Sequence, residues 1–169
     1  MDAHAGGPLH VLRAFHRIHD RLATAGQPTA DQFSLLRDAG FEAVLNLAVP
    51  SSEGALPNEP ELVQALGMDH AHIPVDFDHP TDADVRRCLA WMDGQRGRRV
   101  LVHCALNMRA SAMVFLWRVL HEGTPHDEAL RDLHAIWVPQ GPWADLLGRW
   151  IPGHNHPART PPQPGHESH

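Results

Sequence analysis

The stretch Val100–Ser111, VLVHCALNMRAS, puts a cysteine, an arginine and a serine directly behind a run of apolar residues. Val100 to His103 reads as the end of a compact buried strand, and Ala110 to Leu120 is apolar on nearly every side, as a central buried helix would be. A strand, a loop and a helix N-terminus in that order make an anion site. The loop N–H groups converge, the helix dipole adds positive potential, and Arg109 supplies a two-pronged charged donor. Cys104 in that field is expected to have a depressed pKa and to be a thiolate at neutral pH. A nucleophile beside an oxyanion cradle is the apparatus for attack on phosphorus or sulfur. A lone cysteine after a strand is more often a small buried hydrophobe. It is the conjunction of His103, Cys104, a four-residue loop, Arg109 and Ser111 that favours chemistry. Cys88, on an amphipathic stretch with Leu89 and Met92, is assigned to packing.

The elements that must position this loop follow from periodicity and punctuation. Leu9, Leu12, Phe15 and Ile18 recur every third residue and predict one face of a helix, with Ile18 alternatively opening a short strand. After Gln27-Pro28, Thr29 caps a predicted helix to about Ala39, with Phe33, Leu35 and Leu36 inward and Gly40 as the stop. Ala43–Ala48 reads as a buried strand. Pro50–Pro60 is a loop before a short helix ending near Gly67, and a strand follows at about His70–Val75. Pro80-Thr81-Asp82 opens a helix from Asp84 to about Met92, closed by Gly94 and Gly97, before the strand Arg99–His103. Thr124-Pro125 starts a helix to about Trp137, and Trp143–Trp150 is the last ordered turn or two. Strands alternating with helices imply a single-domain α/β fold, a mostly parallel sheet with helices on both faces, because parallel strands need crossovers. The predicted domain spans 1–151; residues 152–169, rich in Pro and His, read as a disordered tail.

Composition narrows the chemistry. With 169 residues, 43% of them hydrophobic, the chain can bury one domain's core. All 14 basic residues are Arg, and neither Lys nor Tyr occurs, which excludes Schiff-base chemistry, a lysine-bearing Walker loop and tyrosine catalysis. A net charge of -6 gives no basic face for nucleic acid or anionic lipid. Two cysteines are too few for a disulfide scaffold, no apolar stretch spans a bilayer, and Met1 to Gly7 lacks the features of a secretory signal. A cytoplasmic protein with free thiols is expected; nothing in the composition bears on oligomeric state. Arg96, Arg98 and Arg99 precede the strand whose far end carries Cys104, roughly 15 Å away at strand rise, and read as a solvated face. The pairs His70/His72 and His16/His19 lack further ligands at recognisable spacing, so no metal is expected. The tail histidines His154, His156, His166 and His169 are not a site, and Trp117, Trp137, Trp143 and Trp150 fit packing.

The His-Cys loop, Ala25-Gly26-Gln27-Pro28 before the first helix, Gly40 to Leu47 as the early strand and His72-Ile73-Pro74-Val75-Asp76 before the next helix together resemble the cysteine-dependent protein tyrosine and dual-specificity phosphatases, especially small bacterial members. The resemblance runs from about Ile18 to Trp150. That family's pattern is His-Cys, five residues, Arg, then Ser or Thr. Here four residues separate Cys104 from Arg109, Ala110 stands where the arginine is expected, and Ser111 stands where the hydroxyl is expected. One residue near a helix start rotates a side chain by roughly 100°, so either the loop is shortened or Arg109 meets the oxyanion from another direction. Asn107 occupies a position often held by Gly, and Asn tolerates positive φ next best.

The resemblance implies a phosphomonoester hydrolase working through a thiophosphate on Cys104. Arg109 and the N–H groups of Ala105, Leu106, Asn107, Met108, Arg109 and Ala110 would hold the phosphate oxygens, Ser111 would assist release of the thiolate, and His103 would orient the cysteine from behind. Phosphoryl transfer also needs an acid for the leaving alkoxide and then a base for water. Asp76, four residues before Pro80, has the family's spacing, with Asp78 as the rival. No metal or organic cofactor is implied. The substrate would be a phosphorylated protein or a small phosphomonoester. Two other readings stand beside this one: a rhodanese-like sulfurtransferase, whose loop resembles Cys, four residues, Arg; and a catalytically inactive phosphatase fold retained as an oxyanion- or phosphopeptide-binding module.

Overall fold

The computed structural model describes residues 7–154. A five-stranded sheet runs β1 (His16–His19), β2 (Leu22–Ala25), β3 (Ala43–Asn46), β4 (Asp69–His72) and β5 (Val100–His103) in chain order, and β1-β2-β5-β3-β4 in space. β2, β5, β3 and β4 pair in parallel; only β1, joined to β2 by a tight turn, is antiparallel. The central strand β5 therefore lies between β2 and β3, and its C-terminal end delivers Cys104 to the middle of the sheet's edge. This is the α/β architecture expected, with helices on both faces.

Strand alternation divides the core. Leu22, Ala43, Leu45, Val100 and Val102 face α3 (Asp82–Asp93), α4 (Met108–Trp117), α5 (His126–His134) and α6 (Pro142–Trp150). Ala23, Ala25, Val44 and Leu101 face a 3₁₀ turn at Gly7–Val11, α1 (Ala30–Asp38) and α2 (Glu59–Ala65). The inner strands β2, β5 and β3 are buried on both faces, as parallel strands covered by helices require, while the edge strands β1 and β4 are partly exposed. α4 is buried almost all round, from Arg109 to Trp117, which explains its lack of a polar stripe. It continues as one wide turn, Arg118–Glu122, ended by Gly123 at φ 84°.

The N-terminal cap predicted at Thr29 holds, and Thr81 caps α3 in the same way. Thr29 Oγ1 accepts from Gln32 N and Thr81 Oγ1 from Asp84 N, each returned by the side chain three residues on. The predicted helix at Leu9–His19 is corrected: Leu9 lies in the 3₁₀ turn, Leu12 follows it directly with its N–H bonded back to Leu9 O at 2.9 Å, the three-residue period that produces the spacing, and Ile18 lies in β1. β2 went unpredicted. Four-residue LATA is too short and too rich in small side chains to show a period. Residues 1–6 and 155–169, the latter covering most of the expected tail and its other histidines, lie outside the described residues; His154 is described and packs its ring 5.3 Å from Phe115. Among the described residues no helix is long and apolar enough to cross a membrane.

Candidate active site

The loop after β5 is built by three local constraints. Cys104, 1% exposed, keeps its backbone in the sheet through Cys104 N donating to Ala25 O at 3.3 Å. The next residue docks on the end of β2, where Gln27 N donates to Ala105 O at 3.0 Å. This approach is so close that a Cβ on Gly26 would sit 2.5 Å from the Ala105 oxygen, so only glycine fits. Asn107 then turns the chain into α4 at φ 71°, the left-handed conformation its type tolerates. Its amide nitrogen donates to Ala14 O at 2.8 Å and Thr24 Oγ1 at 3.0 Å, pinning the turn to the β1–β2 side.

The result is a nest of donors. Leu106 bridges antiparallel to Gly26 at the end of β2, and the first helical bond is Ser111 N to Asn107 O at 2.9 Å, so the N–H groups of Met108, Arg109 and Ala110 stand ahead of the helix's own ladder. A helix start of this kind beside a cysteine is the geometry that accepts a tetrahedral oxyanion.

Behind the loop lies a buried carboxylate that the sequence did not reveal. His103, fully buried, places Nε2 2.6 Å from Glu59 Oε2 and Nδ1 3.2 Å from Cys104 O. The same Glu59 oxygen takes a second bond, from His70 Nε2 at 2.9 Å, and Oε1 accepts from Gln27 Nε2 at 2.9 Å. Burial alone would raise the Glu59 carboxyl. The hydrogen bonds from His103 and His70, the charge of His103 and the Gln27 amide outweigh that and hold it far below the usual carboxylate range. His70 thus belongs to the support of the nucleophile loop. His72 Nε2 donates instead to Ala48 O at 2.7 Å, and both rings line a cavity of about 410 Å³ beside Glu59, Pro57 and Leu56.

Arg109 lies in the first turn of α4 and is 6% exposed. Its Nη1 donates to Val75 O at 2.9 Å and its Nη2 to Ser52 Oγ at 3.4 Å. The guanidinium therefore reaches from the nucleophile loop to the residue immediately before Asp76. Asp76 itself is exposed. Its Oδ1 accepts from Asp78 N at 2.9 Å and its Oδ2 lies 3.4 Å from His79 Nδ1. The Asp78 N–H bond, opposed by desolvation and reinforced by His79, holds the Asp76 carboxyl below its ordinary value. Asp78 is exposed in the same turn. Ser111 sits one turn into α4 with its hydroxyl donating to Met108 O at 3.1 Å and accepting from Trp137 Nε1 at 3.1 Å, so its hydrogen is directed away from Cys104.

The remaining predicted residues fall elsewhere. Cys88 packs in α3, and burial with the charge of Asp84, partly offset by Arg87, pushes its thiol up to about 12. Arg98 and Arg99 bond Asp69, Gln95 and the carbonyls of Glu42 and Ala39, and Arg96 lies over Trp117. His16 pairs with Asp132 and His19 with Glu122, on a strand rather than a helix. Among the described residues no group of three or more His, Cys, Asp or Glu is placed to hold a metal ion.

This geometry coincides with what the chain is similar to. A family model described as DSP-PTPase phosphatase fused to NAD+ kinase matches residues 16–140, from β1 through the segment after α5. The chain belongs to this family. Within this DSP-PTPase family context, a Beta-lactamase hydrolase-like protein of Agrobacterium fabrum is 34% identical over 107 residues, covering 62% of this chain and 25% of the relative. The chain spans about a quarter of the length of the curated relatives it matches. A DUF442 protein of Shewanella putrefaciens CN-32 superposes with TM-score 0.77 at 35% identity, over 86% of this chain and 96% of that one. Tk-PTP in its active form shares the fold at 22% identity, with TM-score 0.66 over 81% and 95%. The chain has the protein tyrosine and dual-specificity phosphatase fold.

Proposed function

We propose that the protein is a cysteine-dependent phosphomonoester hydrolase. The observation that carries the reading is the conjunction at the end of β5: a cysteine on a strand end, a loop that leads straight into the N-terminus of α4, and a buried arginine in the first turn of that helix. Cys104 Sγ attacks phosphorus, the S–P bond forms and the bond to the leaving oxygen breaks. Arg109 and the N–H groups of Ala105 to Ala110 take the charge on the equatorial oxygens. Asp76 donates a proton to the leaving alkoxide; Asp78 is the alternative acid. In the resting turn the Asp78 N–H bond favours the Asp76 carboxylate, and a phosphate dianion brought beside it opposes that charge and favours the protonated form. Water then attacks phosphorus, the carboxylate takes its proton, the S–P bond breaks and inorganic phosphate leaves. His103, fixed by Glu59, steadies the Cys104 carbonyl. The Ser111 hydroxyl assists thiolate departure only after turning from Met108 O.

Substrates are a phosphorylated protein or a small phosphomonoester, and the reaction uses no metal or organic cofactor because the loop neutralises phosphate. Hydrolysis of an aryl phosphate in the presence of a chelator tests this. The wild type should turn it over and be inhibited by vanadate, and Cys104→Ser should be inactive while still binding phosphate. Turnover that survives Cys104→Ser would contradict the assignment.

A further inference from the structure

We propose that Trp143 is a positioning residue for the candidate acid, holding the Asp76 loop against the nucleophile helix through its indole N–H, with Trp137 bracing the same loop. The proposal rests on the hydrolase reading above. Trp143 Nε1 donates to Phe77 O at 2.8 Å. The Phe77 ring lies 6.1 Å from Trp143 and 5.8 Å from Trp137, and the two indoles meet edge to face at 6.3 Å. Trp137 Nε1 donates to Ser111 Oγ at 3.1 Å, in the first turns of α4. One aromatic cluster therefore touches both the acid loop and the nucleophile helix.

The backbone carbonyls on either side of Asp76 are both held from elsewhere in the fold. Val75 O accepts from Arg109 Nη1 at 2.9 Å and Phe77 O accepts from Trp143. The Asp76 side chain, by contrast, is exposed and, among the described residues, bonded only within its own turn, to Asp78 N and His79. A carboxylate of that kind wanders unless its backbone is fixed, and reorienting it at each turnover would cost activation entropy. Trp143 is 1% exposed, so its indole is fixed in the core and its bond to Phe77 O, on an exposed residue, ties the loop to a rigid anchor. A buried indole N–H needs some acceptor in any case. A bond serving only that need would affect stability, with no dependence on the chemistry of the leaving group.

The test is Trp143→Phe, which keeps a ring and removes the N–H. On an alkyl or tyrosyl phosphate kcat should fall about 10- to 100-fold with KM nearly unchanged, and on an activated aryl phosphate by less than about threefold. Amide hydrogen exchange should quicken across residues 75–79 and stay unchanged in β3 and β5. Phe77→Leu, which keeps the carbonyl bond and removes the stacked ring, should show a smaller loss with the same leaving-group dependence, and it carries the test if Trp143→Phe does not fold. Equal losses on the two substrates, or no loss on either, overturn the proposal, as does unchanged exchange at 75–79. A wild type that hydrolyses neither phosphate overturns the hydrolase reading itself, and the exchange measurement then still decides whether Trp143 tethers the loop.

Discussion

Cys104 and Cys88 are both buried and free of any disulfide, yet they occupy opposite electrostatic settings. Cys104 precedes the N-terminus of α4; Cys88 lies between apolar neighbours with Asp84 one turn away and a thiol pushed up to about 12. Alkylation near neutral pH should therefore modify Cys104 rapidly and leave Cys88 untouched, as peptide mapping would show; labelling of Cys88 at a comparable rate would contradict the assignment. Glu59 supplies a second residue-scale prediction. Its folded carboxyl lies below its ordinary value of 4.5, so its contribution to stability is complete above that pH and is lost as pH falls below 4.5 toward the folded value. Glu59→Gln should cost about 3 kcal/mol or more at neutral pH, the scale of breaking a buried charged pair. The gap in Tm from wild type should close on acidification; a gap independent of pH would show that the carboxylate charge is not what matters. Cys104, His103 and Arg109 were legible because adjacent residues in one loop carry the pattern. Glu59 was not, since its partners His70 and His103 are brought to it from two strands, and the only local hint was a histidine on an inward-facing strand position needing an acceptor.

At the scale of elements, the site is a strand end, a helix start and a loop after β4, each fixed by a different device. Asn107 shapes the helix start through a positive φ and two side-chain bonds. Asn107→Gly should retain the turn and lose only the anchoring, whereas Asn107→Leu should lose the anchoring and strain the backbone by roughly 1–2 kcal/mol more. Thermal unfolding of the two variants decides this: equal Tm values would mean that φ at 107 carries no cost. The acid loop gives the sharper prediction. Asp76→Asn should slow hydrolysis of a poor leaving group roughly 10²- to 10⁴-fold, spare an activated aryl phosphate and flatten the limb of the pH profile that reports the acid, while Asp78→Asn should do neither. A larger, leaving-group-dependent loss at Asp78 would move the acid by two residues. The start of α1 could be read from the cap at Thr29 and that of α3 from Pro80-Thr81-Asp82, because helix starts are local chemistry. The end of β4 was set three residues too far along, since Ile73 and Val75 continue the apolar pattern while the chain has already left the ladder for the acid loop.

For the whole molecule, the parallel order β2-β5-β3-β4 is what brings β5 to the centre and its loop beside both Gly26 and the segment after β4. The alternation of strands and helices made this architecture readable from the chain, but the antiparallel β1–β2 ribbon that pins Asn107 was hidden in two four-residue strands with no clear period. Arg109 also acts at this scale, because its guanidinium bonds Val75 O and Ser52 Oγ and so ties the nucleophile helix to two loops at once. A sulfurtransferase would take sulfur from thiosulfate and have no need of an acid on the β4 side; a binding module would keep anion affinity without turnover. The most direct discrimination is rapid-quench mass spectrometry of the protein mixed with an aryl phosphate. The hydrolase mechanism predicts a transient phosphoryl group on the peptide carrying Cys104, absent in Cys104→Ser and decaying as phosphate appears. Phosphate release with no modified Cys104 peptide, or a persulfide formed from thiosulfate in its place, would contradict it.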